Sequence, residues 1–158
     1  MAGLEDLYRE IILDHYRSPR NRGELATPPA HRVEGFNPLC GDEVVVYLDV
    51  DDHGKVRDLK ISGQGCSISQ SSASMMSAAV NGKSVEEARE LTRAFKTMMS
   101  IHEQEIGGGD AEQDAPEVNM GDLAALRGVV KFPVRIKCAT LAWNTLQQAL
   151  DDAKAESL

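Results

Sequence analysis

The chain has 158 residues, of which 42% are hydrophobic and 4% aromatic, so aliphatic side chains and methionine must fill most of its core. Its formal net charge is −8, and the tract over residues 103–126 holds seven acidic residues and no lysine or arginine. This argues against nucleic acid as a partner, because phosphate binding needs a cationic surface. No apolar run reaches membrane-spanning length, so we expect a cytoplasmic protein without a membrane partner.

The first half of the chain predicts one helix and a small antiparallel sheet. Apolar residues at helical spacing predict a helix over 4–15, which a Ser-Pro pair then ends. Alternating apolar residues predict a strand over 44–50, and a turn returns the chain as its antiparallel partner over 56–61. A weaker strand is predicted over 31–36.

The second half is predominantly helical. The spacing predicts helices over 68–79 and 84–98, the second of which opens with a capping box. A polar loop over 107–119 and a short helical turn over 122–126 follow, and the last helix runs from about Cys138 to Ala153. Strands followed by helices predict an α+β domain, with a small antiparallel three-stranded sheet and helices packed on one of its faces.

Three cysteines at predicted element boundaries are the residues most suited to chemistry. Cys40 precedes the central strand, Cys66 opens the helix over 68–79, and Cys138 begins the last helix. A helix N-terminus favours the thiolate form of cysteine, which metal binding and sulfur chemistry both require. An odd number of cysteines favours metal binding or catalysis over a disulfide framework, with three unrelated buried cysteines as the alternative.

Asp42 adds a carboxylate to this set. It follows Cys40 by two residues, and alternate positions of an extended segment project to the same side, so the two side chains can converge. Three thiolates and one carboxylate make a closed tetrahedral set suited to Zn²⁺. Because these ligands carry more negative charge than the metal neutralises, we expect cations nearby. The candidates are Arg135 and Lys137, although a solvated loop position is an equally good interpretation of Lys137.

Four segments together resemble the SufU family of the IscU/NifU-like superfamily. They are LYREIILDHYRSPRNRG (7–23), NPLCGDEV (37–44), GQGCSISQSSASMM (63–76) and FPVRIKCATLAW (132–143). The resemblance covers nearly the whole chain and implies a single SufU/IscU-like domain over 1–158. An acidic loop insertion at about 103–122 interrupts that domain. The insertion is either a tolerated surface loop or a segment that steers association with a basic partner surface.

The resemblance also implies a function. Cys40, Asp42, Cys66 and Cys138 match the family's zinc ligands, which implies one Zn²⁺ per chain. Cys40 matches the cysteine that accepts persulfide sulfur from a SufS-type cysteine desulfurase for iron–sulfur cluster assembly. The implied protein is therefore a sulfurtransferase of the SUF system, which passes its sulfur to a downstream SUF scaffold.

Two other functions remain open at this point. The first is a scaffold that holds a transient iron–sulfur cluster on the same ligands, and the second is a non-catalytic zinc adaptor that activates the desulfurase. Scaffold-type IscU proteins carry His directly before the last Cys, where this chain has Lys137. The stretch between Cys66 and Cys138 is also longer than in IscU. Both differences favour sulfur transfer.

Overall fold

A computed structural model describes residues 3–27, 30–38, 41–100 and 121–157. Cys40 and most of the acidic insertion lie outside these ranges. The described elements, in chain order, are α1 (Gly3–Arg17), β1 (His31–Asn37), β2 (Asp42–Val50), β3 (Val56–Gln64), α2 (Ser67–Val80), α3 (Val85–Met99), a 3-10 helix (Gly121–Lys131) and α4 (Pro133–Ser157).

The three strands form one antiparallel sheet in the order β1-β2-β3. Val44, Val46 and Leu48 alternate along the central strand and are fully buried, which places their face of the sheet against the core. Helix α4 packs on β1 and β2, and α2 packs on β3. This arrangement confirms the predicted α+β class with its three-stranded sheet.

Helix α2 lies at the centre of the molecule. The sequence predicts one inward face for it, but the helix contacts α1, α3, α4 and the sheet, and ten of its residues are buried. Serine and alanine permit this because their small side chains let neighbouring elements approach closely. The buried hydroxyls find carbonyl partners, as when Ser72 Oγ donates to Ala139 O at 2.6 Å and Ser71 Oγ donates to Ser67 O at 2.6 Å.

The start of the last helix differs from the prediction. Helix α4 begins at Pro133, five residues before Cys138, and continues to Ser157. Proline suits the first turn of a helix because its fixed φ is helical and its missing N–H would have no intrahelical partner there. Cys138 therefore lies in the second turn and is fully buried, while Arg135 and Lys137 are helical residues rather than loop residues.

The apolar core joins the sheet to α2, α3, α4 and the 3-10 helix. Its largest member, Trp143, is fully buried and stacks on Phe95 with 4.8 Å between ring centroids. Methionines 75, 76, 98 and 99 are also buried, as the low aromatic content predicts. Among the described residues, no helix combines the length and apolar composition needed to cross a bilayer.

Candidate metal centre

Three predicted ligands converge where three elements begin. Asp42 is the first residue of β2, Cys66 is the N-cap of α2, and Cys138 lies in the second turn of α4. One oxygen of the carboxylate and the two sulfurs all lie within 4.8 Å of one another. We call these three residues the ligand group.

Asp42 is fixed against the backbone that carries Cys66. Its side chain is fully buried, and Oδ1 accepts a hydrogen bond from Cys66 N at 2.8 Å. The second oxygen, Oδ2, lies 3.7 Å from Cys66 Sγ. Oδ1 of Asp42 therefore fixes the backbone at Cys66, and Oδ2 faces the Cys66 thiol.

Two glycines before Cys66 allow the chain to pass close to the Asp42 carboxylate and to the backbone of Glu43. At Gly65, a Cβ atom would collide with the Asp42 carboxylate and the Ser69 hydroxyl. At Gly63, φ is +119° and a Cβ atom would collide with the carbonyl of Glu43 on the neighbouring strand. The Gly-Gln-Gly sequence before Cys66 is thus a steric requirement of the ligand group.

Cys66 caps α2, as the sequence predicts. Its extended backbone, with φ −70° and ψ 166°, places Sγ where it accepts from Ser69 N at 3.5 Å. The Ser69 hydroxyl donates in turn to Cys66 O at 3.2 Å. The thiol therefore lies at the N-terminus of α2, which is the positive end of the helix dipole.

Arg135 forms a hydrogen bond with the buried thiol of Cys138. It precedes Cys138 by three residues on α4, a spacing that puts both side chains on one face of the helix. A hydrogen bond to Cys138 and the nearby Cys66 thiol raise the pKa of the Arg135 guanidinium above its ordinary value. Lys137 is exposed and directly precedes Cys138, so helical geometry directs its side chain away from that face.

Asn37 contacts Cys138, and the sequence analysis did not predict this contact. It is buried at the end of β1, and its Nδ2 donates to Cys138 Sγ over 3.9 Å. Gly41 N donates to Asn37 O at 2.8 Å, and Gly41 has a φ of +68°. The Asn-Pro-Leu-Cys-Gly-Asp motif contained the signal, because asparagine and glycine are the residues expected where a strand turns sharply. Cys40, the fourth predicted ligand and the predicted sulfur acceptor, lies outside the described residues.

One of the distances within the ligand group matches that of a zinc site, and all of them lie within 4.8 Å. Zinc–sulfur and zinc–oxygen bonds of about 2.0–2.3 Å put neighbouring ligands of a tetrahedral site roughly 3.5–3.8 Å apart. The 3.7 Å between Cys66 Sγ and Asp42 Oδ2 falls in this range. Thiolates and a carboxylate are also ligand types that Zn²⁺ accepts, so these residues fit a zinc ion.

A second polar group, centred on a buried histidine of α1, contacts α2 farther along that helix. His15 is 2% exposed, its Nδ1 lies 2.8 Å from Ser74 Oγ, and its Nε2 lies 3.0 Å from Asp122 Oδ2. Arg20 N also donates to Ser74 Oγ, at 2.8 Å. We call His15, Ser74 and Asp122 the histidine cluster. Both ring nitrogens of the buried imidazole therefore have partners within the protein.

Comparison with known proteins places the chain among iron–sulfur assembly proteins. The family model for the NifU-like N-terminal domain matches residues 7–139. The zinc-dependent sulfurtransferase SufU of Bacillus subtilis is 42% identical over 149 residues, which cover 94% of this chain and 92% of that protein. The iron–sulfur cluster assembly scaffold protein IscU of Streptococcus pyogenes is 37% identical, with 95% of this chain and 86% of that protein covered.

A solved structure agrees with these sequence matches. FiSufU, a candidate cluster assembly scaffold of the SUF system from Fervidobacterium islandicum, superposes with a TM-score of 0.73 at 32% identity. The match covers 94% of this chain and 99% of that one. The fold predicted from the sequence is therefore the fold of a structurally characterised relative.

Proposed function

This chain belongs to the family of NifU-like N-terminal domains, and we propose that it is a zinc-dependent sulfur-transfer protein of iron–sulfur cluster assembly. The convergence of Asp42, Cys66 and Cys138 within 4.8 Å carries the proposal. Three segments that are distant in sequence bring only sulfur and oxygen ligands to one point. A fully buried carboxylate beside two thiols is costly to desolvate, and a cation bound by all three groups would offset that cost.

We propose Cys40 as the fourth ligand, so that the chain holds one Zn²⁺ in a closed tetrahedral site. Cys40 is two residues before Asp42 in the sequence, and the carboxylate of Asp42 faces the two described thiols. Zinc, when bound, keeps the cysteines as thiolates and fixes their geometry. Arg135 offsets part of the site's negative charge from the protein side, through its hydrogen bond with Cys138.

The proposed reaction is a thiol exchange at Cys40. Its thiolate attacks the outer sulfur of a persulfide on the donor, the donor's S–S bond breaks, and the donor cysteine leaves as a thiolate. Cys40 becomes the persulfide, and no external oxidant or reductant is consumed. Cys40 suits this role better than Cys138, because the Cys138 thiol is fully buried within a helix.

The surface beside the site suits a protein donor. Phe36, Phe132 and Val134 are 60%, 62% and 64% exposed, although most side chains of this kind are buried. Phe36 precedes Asn37, and Phe132 and Val134 precede Arg135, so all three flank residues that contact Cys138. Exposed apolar side chains around a reactive site are typical of protein docking surfaces.

We therefore propose a SufS-type cysteine desulfurase as the donor and a downstream SUF scaffold as the acceptor. The cytoplasm is the proposed location, since these reactions require reduced thiols. Most of the acidic insertion, which interrupts the single proposed domain, lies outside the described residues, and the reaction at Cys40 is proposed without it.

A scaffold function is the second candidate. Several relatives are iron–sulfur cluster scaffold proteins called IscU, and the same ligands would hold a cluster as cargo. Lys137 is exposed and stands where scaffold-type IscU proteins carry a histidine, and a lysine ammonium group is a poorer metal ligand than an imidazole. This position favours sulfur transfer over cluster assembly.

Transfer of sulfur to Cys40 can be measured directly. After incubation with a SufS-type desulfurase and cysteine, peptide mass mapping should find one added sulfur on Cys40. The Cys40→Ala variant, checked for retained zinc, should accept none and should not stimulate the desulfurase. Added sulfur on Cys66 or Cys138 would contradict the assignment. Full stimulation by zinc-loaded Cys40→Ala would instead identify a non-catalytic adaptor.

A further inference from the structure

A second surface feature lies away from the ligand group, in the groove between α3 and α4. The groove has a volume of about 450 Å³ and is lined by three basic side chains, Arg89, Arg93 and Lys96. Leu150 and Gln147 of α4 line it from the other side. Gln147 follows Cys138 by nine residues, which corresponds to about 13 Å along the helix axis, so the groove is separate from the metal centre.

The three cations form a row on a protein whose net charge is −8. They occupy positions i, i+4 and i+7 of α3, which places them on one stripe of the helix surface about 10 Å long. Arg89 is paired with Asp151 at 2.8 Å, but no ion pair of Arg93 or Lys96 occurs among the described residues. The row therefore carries positive charge that the described part of the chain does not neutralise.

Lys96 shows this lack of neutralisation most clearly. Its Nζ donates to the neutral Gln147 Oε1 at 2.6 Å, and the side chain is half-buried between the helices. Burial lowers the pKa of Lys96, because the ammonium group loses hydration without gaining a carboxylate in return. A bound anion would supply that missing charge.

We propose that this groove binds an acidic, extended peptide segment of a partner protein. Alternate side chains of an extended peptide are about 6.7 Å apart, close to the spacing of about 5–6 Å between neighbouring members of the row. A single phosphate spans too little of a row 10 Å long. Nucleic acid is disfavoured because three basic side chains can neutralise only a few phosphates of a long polyanion. Thr97, Ser100 and Gln147 add polar groups along the groove that can pair with a peptide backbone.

Peptide binding to the zinc-loaded protein tests this proposal. The probe is a fluorescent octapeptide with Asp or Glu at every second position, and its affinity is measured by fluorescence anisotropy. Arg93→Gln and Lys96→Gln should each weaken binding about two- to fivefold, the effect of one partly screened charge. The affinity should also fall between low and physiological salt.

The matched control is Arg9→Gln, which removes an exposed arginine from α1 and changes the net charge equally. It should leave the peptide affinity unchanged, and circular dichroism should show the same helix content in all variants. Equal weakening by Arg9→Gln would overturn the proposal, because only net charge would matter. Equal binding of an Asn/Gln version of the peptide, displacement by inorganic pyrophosphate at the same concentration as the peptide, or no binding at low salt would overturn it as well.

Discussion

The ligand group and the histidine cluster are both polar, both contain buried side chains and both lie against α2, yet their hydrogen bonding differs. In the histidine cluster, His15 Nε2 lies 3.0 Å from the Asp122 carboxylate and Nδ1 lies 2.8 Å from the Ser74 hydroxyl. Ser74 Oγ in turn accepts from Arg20 N. Every hydrogen-bonding atom of the imidazole has a partner within the protein.

The hydrogen bonding of the ligand group is different. This group places a fully buried carboxylate next to two thiols, and hydrogen-bond donors such as Asn37 and Ser69 contact the sulfurs only at 3.9 and 3.5 Å. Arg135 is the cation beside these sulfurs, and its side chain is exposed. A buried histidine whose ring nitrogens both have partners stabilises a fold by itself, whereas a buried carboxylate grouped with two thiols offers three ligand atoms that one cation can share. The comparison separates a structural cluster from a candidate metal centre.

The largest expected effect comes from Cys138→Ala. In the zinc-loaded protein, we expect the free energy of unfolding to fall by roughly 4 kcal/mol, because loss of a ligand forfeits metal binding. Without zinc, the same substitution should cost only about 1 kcal/mol, since a small buried side chain is replaced by a slightly smaller one. Urea unfolding with and without a chelator, together with elemental analysis, measures both values. Equal costs in the two conditions would mean that the ligand group is structural.

His15→Ala should have the opposite signature. Removing the imidazole leaves a cavity and ends two hydrogen bonds, which should lower the free energy of unfolding by about 2 kcal/mol. That loss should be the same with and without zinc, and the zinc content should not change. The control Tyr16→Ala alters an exposed neighbour on the same helix and should cost well under 1 kcal/mol. Loss of zinc from the His15→Ala variant would contradict this prediction, because the histidine cluster would then also support metal binding.

The smallest effect concerns the charge around the ligand group. Arg135→Gln should weaken zinc binding about threefold at neutral pH, because a cation that favours the thiolate ligands is removed. Lys137→Gln removes an equal charge two residues away but lies off the Cys138 face, so the affinity should stay near that of the wild type. Competition with a chromogenic zinc chelator measures both. Equal weakening would show that general electrostatics, rather than the contact with Cys138, is responsible.

The sequence by itself determined the parts of the protein that depend on neighbouring residues. Apolar periodicity identified each helix and strand, and the entry of Cys66 into α2 could be predicted from the Gly-Gln-Gly sequence and the small residues that follow. Asp42 entered the ligand set through its two-residue spacing from Cys40. These features follow from local backbone preferences and side-chain direction, which the chain encodes without reference to distant contacts.

Tertiary structure alone decided how distant segments meet. The start of α4 at Pro133 puts Arg135 on the same face as Cys138 and Lys137 off it, which the sequence had left undecided. The contact of Asn37 with Cys138 spans 101 residues, and that of His15 with Asp122 spans 107. No local pattern encodes such pairs, because they depend on how the sheet and α4 close around α2. The serine-rich surface of α2 shows the same limit, since burial on several sides reflects close packing between helices rather than apolar periodicity.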